Sequence, residues 1–375
     1  MIEKKMLFTP GPVMTSRRLK SVLAHPDIPH RQPAFEQIVR RIRANLLTLF
    51  RADADYVAVV VSGSGTAANE TALSSIVKPG EEVLLVRNGE FGNRLEDILA
   101  CYGYERRTID LPWGTLPDPA AVGAALAANP RLAWVCMVYH ETSTGMINPV
   151  RAVGEVVHAH GRKLFSDCVS AVGGQDIDVL RDHIDVCTGV PNKALSGTTG
   201  CSFVVARRAS VPALGPDMPR RNIYLNLQKH IEWAEKTNQT PNTPAVTMFI
   251  ALDAALEELM EEGLQARIGR YQECAAILRA GVRALGLRVL LPDAQASNTV
   301  TSVFLPAGVL LRDFISELDR RGYVVYAGKG PFYDQNMFQI ANMGWIRPAD
   351  CRALLKVIKE TTRDLQAQAH RATRL

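Results

Sequence analysis

The stretch Gly189-Val190-Pro191-Asn192-Lys193-Ala194-Leu195-Ser196-Gly197-Thr198-Thr199-Gly200 lies between two apolar runs, Val186 to Thr188 and Cys201 to Ala206. Both runs read as buried strands. Lysines usually sit on wet surfaces, and one at a strand end can simply snorkel its ammonium into water. The other reading of Lys193 is an amine that forms a Schiff base with an aldehyde cofactor. That chemistry also needs a cradle for an anion, an acid for a ring nitrogen, and an aromatic side chain to cover a flat ring.

Upstream of the lysine, strand and helix patterns alternate. Tyr56 to Val61, Glu82 to Val86, Leu132 to Val138 and Lys163 to Cys168 read as strands. Ala67 to Ile76, Asn93 to Cys101 and Val150 to His160 read as the helices between them. The alternation predicts an α/β fold, a mainly parallel sheet with helices on both faces, whose ligands gather at the carboxyl ends of the strands. Ahead of it, Leu7 to Val13 holds two prolines around a glycine and reads as an extended arm. Pro33 opens a helix to about Phe50, with Phe35, Ile38, Ile42 and Leu46 at helical spacing.

After about Ile250 the texture changes. Helices are predicted over 247–262, 264–285, 311–321 and 348 to about 371. Short strands are predicted over 288–291, 301–305, 323–326 and 338–341. The expected organisation is an N-terminal arm (1–20), a large α/β domain (21–260) and a smaller α+β C-terminal domain (261–375).

Composition is that of a globular protein: 47% hydrophobic and 22% charged over 375 residues, with a net charge of +5. The charge is mild and its signs are interleaved. This argues against a nucleic-acid groove and suits small anionic ligands. Seven cysteines form no CxxC pair and no metal-spaced cluster, so reduced thiols in cytoplasm are expected, with no metal. No signal region opens the chain and no stretch reads as a membrane span.

Four loops offer the parts that Lys193 would need. Ser62-Gly63-Ser64-Gly65-Thr66 falls between a strand and a helix, where glycine backbone and a helix N-terminus favour a phosphate. By itself it is equally a capped tight turn. Asp167 ends an apolar strand and could pair with a ring nitrogen, or cap a helix. Phe91, between glycines in Asn88-Gly89-Glu90-Phe91-Gly92, could stack on a ring or pack in a core. Thr142, in His140-Glu141-Thr142-Ser143-Thr144-Gly145, could donate to a ring oxygen or a phosphate, or belong to a plain polar loop. The functional reading rests on their shared placement after strands.

These segments, together with Thr9-Pro10-Gly11-Pro12, Asn192-Lys193 and Thr240-Pro241-Asn242-Thr243-Pro244, resemble the class V aminotransferases, which are fold-type I pyridoxal-phosphate enzymes. Phe338-Gln339-Ile340-Ala341-Asn342-Met343-Gly344 is similar to the wording of members that move the amine of 2-aminoethylphosphonate to pyruvate. The likeness covers nearly the whole chain. It implies that Lys193 holds pyridoxal 5′-phosphate and moves protons, with Asn192 beside it. It implies that Asp167 pairs with the pyridine nitrogen and Phe91 stacks on the ring. Ser64, Gly65 and Thr66 would bind the phosphate, with Thr142 nearby. Thr240 would reach the phosphate from a partner subunit, so a homodimer with shared sites is implied. Gly11, Arg31 and residue 339 fall on the substrate side.

One departure matters. The family generally has an arginine where this chain has Gln339. A neutral amide cannot make the charged fork that grips an acid group. Arg31, Lys329 and Arg94 are candidate replacements. The leading expectation is a transaminase passing the amino group of a small primary amine, an aminophosphonate or an amino acid, to a 2-oxo acid such as pyruvate. The alternative is a pyridoxal-phosphate lyase that needs no acceptor acid, motivated by Gln339. A non-catalytic binding protein of the same fold is opposed by the intact Lys193, Asp167 and phosphate loop.

Overall fold

The computed structural model describes residues 4–372. Seven strands form one sheet in the order Tyr56–Ser62, Cys201–Arg207, Val186–Gly189, Lys163–Asp167, Leu132–Val138, Glu82–Arg87, Arg106–Asp110. Only Cys201–Arg207 is antiparallel to its neighbours; the other six strands run in one direction. The loops at 62–66, 88–92, 140–145, 167–170 and 189–200 therefore leave the same edge of the sheet.

The strands are β-branched and almost wholly buried because helices cover both faces. Their side chains alternate between two cores. Ala58, Val60, Val135, Met137 and Phe203 meet the helices Pro33–Leu49, Val150–Ala159 and Val246–Glu262 on one side. Val57, Val59, Trp134, Cys136 and Val204 meet Gly65–Ile76, Glu90–Cys101 and Leu227–Thr237 on the other.

A second sheet has the order Arg288–Val289, Val300–Phe304, Met337–Ala341, Tyr326–Ala327, all antiparallel. It shares a core with Leu264–Ala284, Leu311–Arg320 and Pro348–Ala372. The N-terminal segment belongs to this core: Phe8 is fully buried in it, and Met6–Leu7 pairs with Tyr323–Val324.

Several elements differ from expectation. Arg106–Asp110 is a strand and Pro119–Ala128 a helix, neither foreseen. The strand is a largely exposed edge written in Arg, Thr and Asp, so it carries no apolar run. The helix is nearly all alanine and valine, with no polar face to give it a period. Leu227–Thr237 was likewise unforeseen. A helix at Arg17–Val22, capped by the Ser16 hydroxyl accepting from the Leu19 amide, cuts into the expected arm. The predicted strand 323–326 is two short strands, because Tyr323–Val324 and Tyr326–Ala327 serve different partners.

Candidate active site

Lys193 sits in the loop between Val186–Gly189 and Cys201–Arg207. The loop tightens after it: the Ser196 amide donates to the Lys193 carbonyl (2.9 Å) and the Gly197 amide to the Pro191 carbonyl (2.6 Å). Ser196 takes the left-handed conformation at φ 69°. Two residues of the Leu264–Ala284 helix hold the turn from outside. Arg267, fully buried, donates to the Leu195 carbonyl at 3.0 Å. Tyr271 Oη donates to the Ala194 carbonyl (2.8 Å) and accepts from the Gly344 amide (3.1 Å). Neither residue carries a signal readable from the sequence. Tyr271 Oη also lies 2.9 Å from the Ser196 hydroxyl, so Tyr271→Phe removes three hydrogen bonds while keeping the ring, and is expected to cost about 1–3 kcal/mol of stability. The urea midpoint would fall with an unchanged slope.

The lysine side chain runs into a cavity of about 410 Å³. Its wall includes Gly63, Ser64, Gly65, Thr66, Asn69, Phe91, Arg94, Asp167, Asn192 and Lys193. Lys193 Nζ donates to the Pro10 carbonyl, and a side chain at Gly11 would strike the lysine methylenes. The N-terminal segment thus closes over the amine. Burial, then the charge of Lys329, lowers the Lys193 pKa to about 8, against the pull of Asp167.

Asp167 ends its strand almost fully buried. Its Oδ1 accepts from the Val169 amide (2.9 Å) and its Oδ2 from Asn69 Nδ2 (2.6 Å). Asn69 in turn accepts from the Thr188 hydroxyl (2.5 Å), which orients its amide. Burial pushes the carboxyl up from its ordinary range, while these donors and the Lys193 and Arg94 charges favour the anion.

Between them lies the Gly65–Ile76 helix N-terminus. Ser64 is the N-cap residue, but its hydroxyl makes no capping bond, so it is left to face the cavity. The Gly63 amide donates to the Gly200 carbonyl (3.0 Å), joining this loop to the lysine loop. A side chain at Gly65 would meet both Val169 methyls at 2.8 Å, so glycine lets the helix end come down on the Asp167 loop.

Phe91 does not sit in a loop as expected; it lies in the first turn of Glu90–Cys101. Glu141 makes that helix start there. Its buried carboxylate accepts from the Phe91 and Gly92 amides (3.1 and 3.2 Å) and from Ser143. It serves as a helix cap supplied from another loop. Burial pushes the Glu141 carboxyl up to about 7, opposed by those bonds. Gly89 leaves the space that Glu141 fills.

Besides Gly11, which packs against the Lys193 side chain, four expected residues are not on the cavity wall. Thr142 is buried behind it, its carbonyl accepting from Gln339 Nε2 at 2.7 Å. Gln339 is buried too, and its amide also donates to the Ser143 carbonyl and to the Ser302 hydroxyl. It braces the 142–143 loop against the smaller sheet and does not face the cavity. Thr240 donates to the Asn242 carbonyl at 2.7 Å and does not line the cavity. Arg31 donates to Gln239 and to the Thr240 and Pro241 carbonyls and stacks on Trp233. It therefore organises the Thr240 segment.

An amine, a buried carboxylate held by an oriented amide, an aromatic ring and a helix N-terminus with an unused hydroxyl surround one cavity. That donor set fits a flat phosphorylated pyridine. The family model for class V aminotransferases matches residues 16–353. The chain belongs to the class V aminotransferase family. Its cofactor is pyridoxal 5′-phosphate.

This class V aminotransferase is 33% identical over 360 residues to the 2-aminoethylphosphonate–pyruvate transaminase of Salmonella schwarzengrund, covering 94% of this chain and 96% of that one. It is 31% identical to an uncharacterised aminotransferase of Methanocaldococcus jannaschii, covering 96% of this chain and 94% of that one. Among solved structures, pyridoxamine-pyruvate aminotransferase from Mesorhizobium loti superposes with a TM-score of 0.90 at 27% identity, covering 97% and 93% of the two chains. Ureidoglycine-glyoxylate aminotransferase from Bacillus subtilis gives 0.89 at 26%, covering 100% and 99%.

Proposed function

We propose that this aminotransferase moves the amino group of a small primary amine, of the 2-aminoethylphosphonate type or an amino acid, to a 2-oxo acid such as pyruvate. The carrying observation is that Lys193 and Asp167 line one cavity with the Gly65–Ile76 helix N-terminus. The bound cofactor supplies an aldehyde carbon that takes up amines and a ring nitrogen that, once protonated, draws electrons from the carbon bearing the amine. Lys193 Nζ would serve there as the base that takes and returns the proton of the carbon bearing the amine. Asp167, whose anion Asn69 and the Val169 amide favour against its burial, would hold the proton on the ring nitrogen. Phe91 would cover the ring, and Ser64 with the Gly65 and Thr66 amides would take the phosphate, beside Asn192.

We extend the proposal to the assembly. Thr240, presented by Arg31, would reach a partner subunit's phosphate, giving a homodimer with shared sites. The large unit would span 21–260 and the small one 261–375, in a cytoplasmic enzyme. Among the described residues no helix is long and apolar enough to cross a membrane. The lyase alternative drew on Gln339, whose amide is engaged with carbonyls behind the cavity wall, and no other observation favours it.

A donor screen against pyruvate, glyoxylate and 2-oxoglutarate tests the proposal. Donor alone should convert the cofactor stoichiometrically to its amine form, and an added 2-oxo acid should restore it. Continuous turnover of the donor without acceptor would overturn the assignment.

The lowered Lys193 pKa gives a further expectation. Only the neutral amine attacks an aldehyde, so below about pH 8 the uptake rate should rise about tenfold per pH unit, and then level off. Stopped-flow absorbance of apoprotein mixed with pyridoxal phosphate checks this. A midpoint near the ordinary lysine value of 10.5 would contradict the buried placement.

A further inference from the structure

Three cations surround the Phe91 ring. Lys329 Nζ lies 5.0 Å from its centroid, Arg94 Cζ 5.0 Å and Lys193 Nζ 5.9 Å. Lys193 is committed to the cofactor. Arg94 has Glu90 beside it at 3.8 Å on the same helix. Lys329 forms no ion pair among the described residues, although every other feature around it is fixed.

The backbone presents Lys329 deliberately. It follows the edge strand Tyr326–Ala327, whose Tyr326 is the register partner of Gln339. The Gly328 amide donates to the Met337 carbonyl at 2.6 Å, and the Lys329 carbonyl accepts from the Phe332 amide at 3.1 Å. Gly330, at φ +49°, lies against the Trp113 ring where a side chain would not fit. A pinned backbone thus carries an unpaired, half-buried ammonium from the smaller sheet to the ring that lines the cavity. A cation that has an aromatic face but no carboxylate partner in such a place favours an anionic ligand.

We propose that Lys329 is a specificity-determining residue that binds the carboxylate of the 2-oxo acid acceptor; this deepens the transaminase reading and rests on it. Gln339, on the neighbouring strand, spends its amide on the Thr142 and Ser143 carbonyls and offers no charge. Acid recognition passes to the adjacent edge strand. A lysine there is a point charge, so it holds the carboxylate without the fork geometry of a guanidinium, and should accept acids of varied shape.

The test uses holoenzyme as wild type, Lys329→Gln and Lys329→Arg. With pyruvate varied, Lys329→Gln should raise KM about 10- to 100-fold with kcat within about threefold, the loss expected for one charge-assisted contact. Lys329→Arg should recover most of the affinity. Calorimetric titration with propionate, an unreactive carboxylate, should weaken by a similar factor, while neutral propionamide should bind both proteins alike. A structural role for Lys329 would move both ligands together. Because Lys329 depresses the Lys193 amine, Lys329→Gln should also move the pH midpoint of cofactor uptake upward. Unchanged pyruvate KM and unchanged propionate affinity in Lys329→Gln would overturn the proposal. So would loss of propionate binding in Arg94→Gln with Lys329→Gln unaffected. A wild type that turns over no donor with any 2-oxo acid would sink the transaminase reading instead, and the propionate titration would still decide the role of Lys329.

Discussion

Lys193→Ala is expected to fold normally and to lose at least about 10⁴-fold of its transfer rate, since it removes both the cofactor's tether and the proton carrier, and a positioned acid–base group alone contributes about 10²–10⁴-fold. The fold should survive because the turn is held by groups other than the lysine amine. Arg267 binds the Leu195 carbonyl and Tyr271 the Ala194 carbonyl, and neither contact changes on truncation. Among the described residues, the side-chain hydrogen bond lost is that from Nζ to the Pro10 carbonyl. Two measurements separate the effects: thermal unfolding of the apoprotein, expected within a few degrees of wild type, and the absorbance of the lysine-bound cofactor, expected to vanish. A variant retaining a tenth of the wild-type rate would end the assignment of Lys193.

Asp167→Asn should be the second largest effect, and of a different kind. The amide keeps the shape of the carboxylate, and its oxygen can still accept from the Val169 amide. What disappears is a unit charge, together with the acceptor for Asn69 Nδ2. At about 4 Å and an effective dielectric constant near 20, an ion pair is worth up to about 4 kcal/mol, so a loss of roughly 10²- to 10³-fold in kcat is expected. Cofactor content should stay near full, because the helix N-terminus at Gly65 and the amine at Lys193 are untouched. Asn69→Leu is the control: the charge remains and only its orienting donor goes, so the loss should be nearer tenfold. If Asp167→Asn were no worse than Asn69→Leu, the carboxylate would be a structural acid and not the partner of the ring nitrogen.

The parts of the site written into single strand ends were legible before any coordinates. Lys193, Asp167, Ser64 to Thr66 and Phe91 each follow an apolar run, and a parallel sheet delivers such positions to one edge whatever the distance between them in the chain. The strands themselves were legible for the same reason, except Arg106–Asp110, whose exposed edge position leaves it no hydrophobic pattern. The supports were not legible. Asn69 meets Asp167 across 98 positions and Tyr271 meets Ala194 across 77, and nothing periodic marks either pair. Glu141 stood inside a segment singled out for its hydroxyls, yet the carboxylate caps the Phe91 helix and the Thr142 carbonyl only braces against Gln339. A polar residue's burial, and hence its task, depends on which distant element covers it. Gln339 shows the cost: residue type alone suggested a changed substrate contact, whereas the amide is occupied behind the wall.

The one strand that runs against the rest has a mechanical meaning. Had Cys201–Arg207 followed its neighbours, the chain after Lys193 would have crossed to the far side of the molecule before returning. Running backward, it starts where the previous strand stops, and the loop bearing the amine is clamped at both feet by adjacent rungs of one ladder. The strand before it, Val186–Gly189, pairs on its other side with Lys163–Asp167, so the amine loop and the carboxylate proposed for opposite ends of one ring ride on a shared piece of sheet.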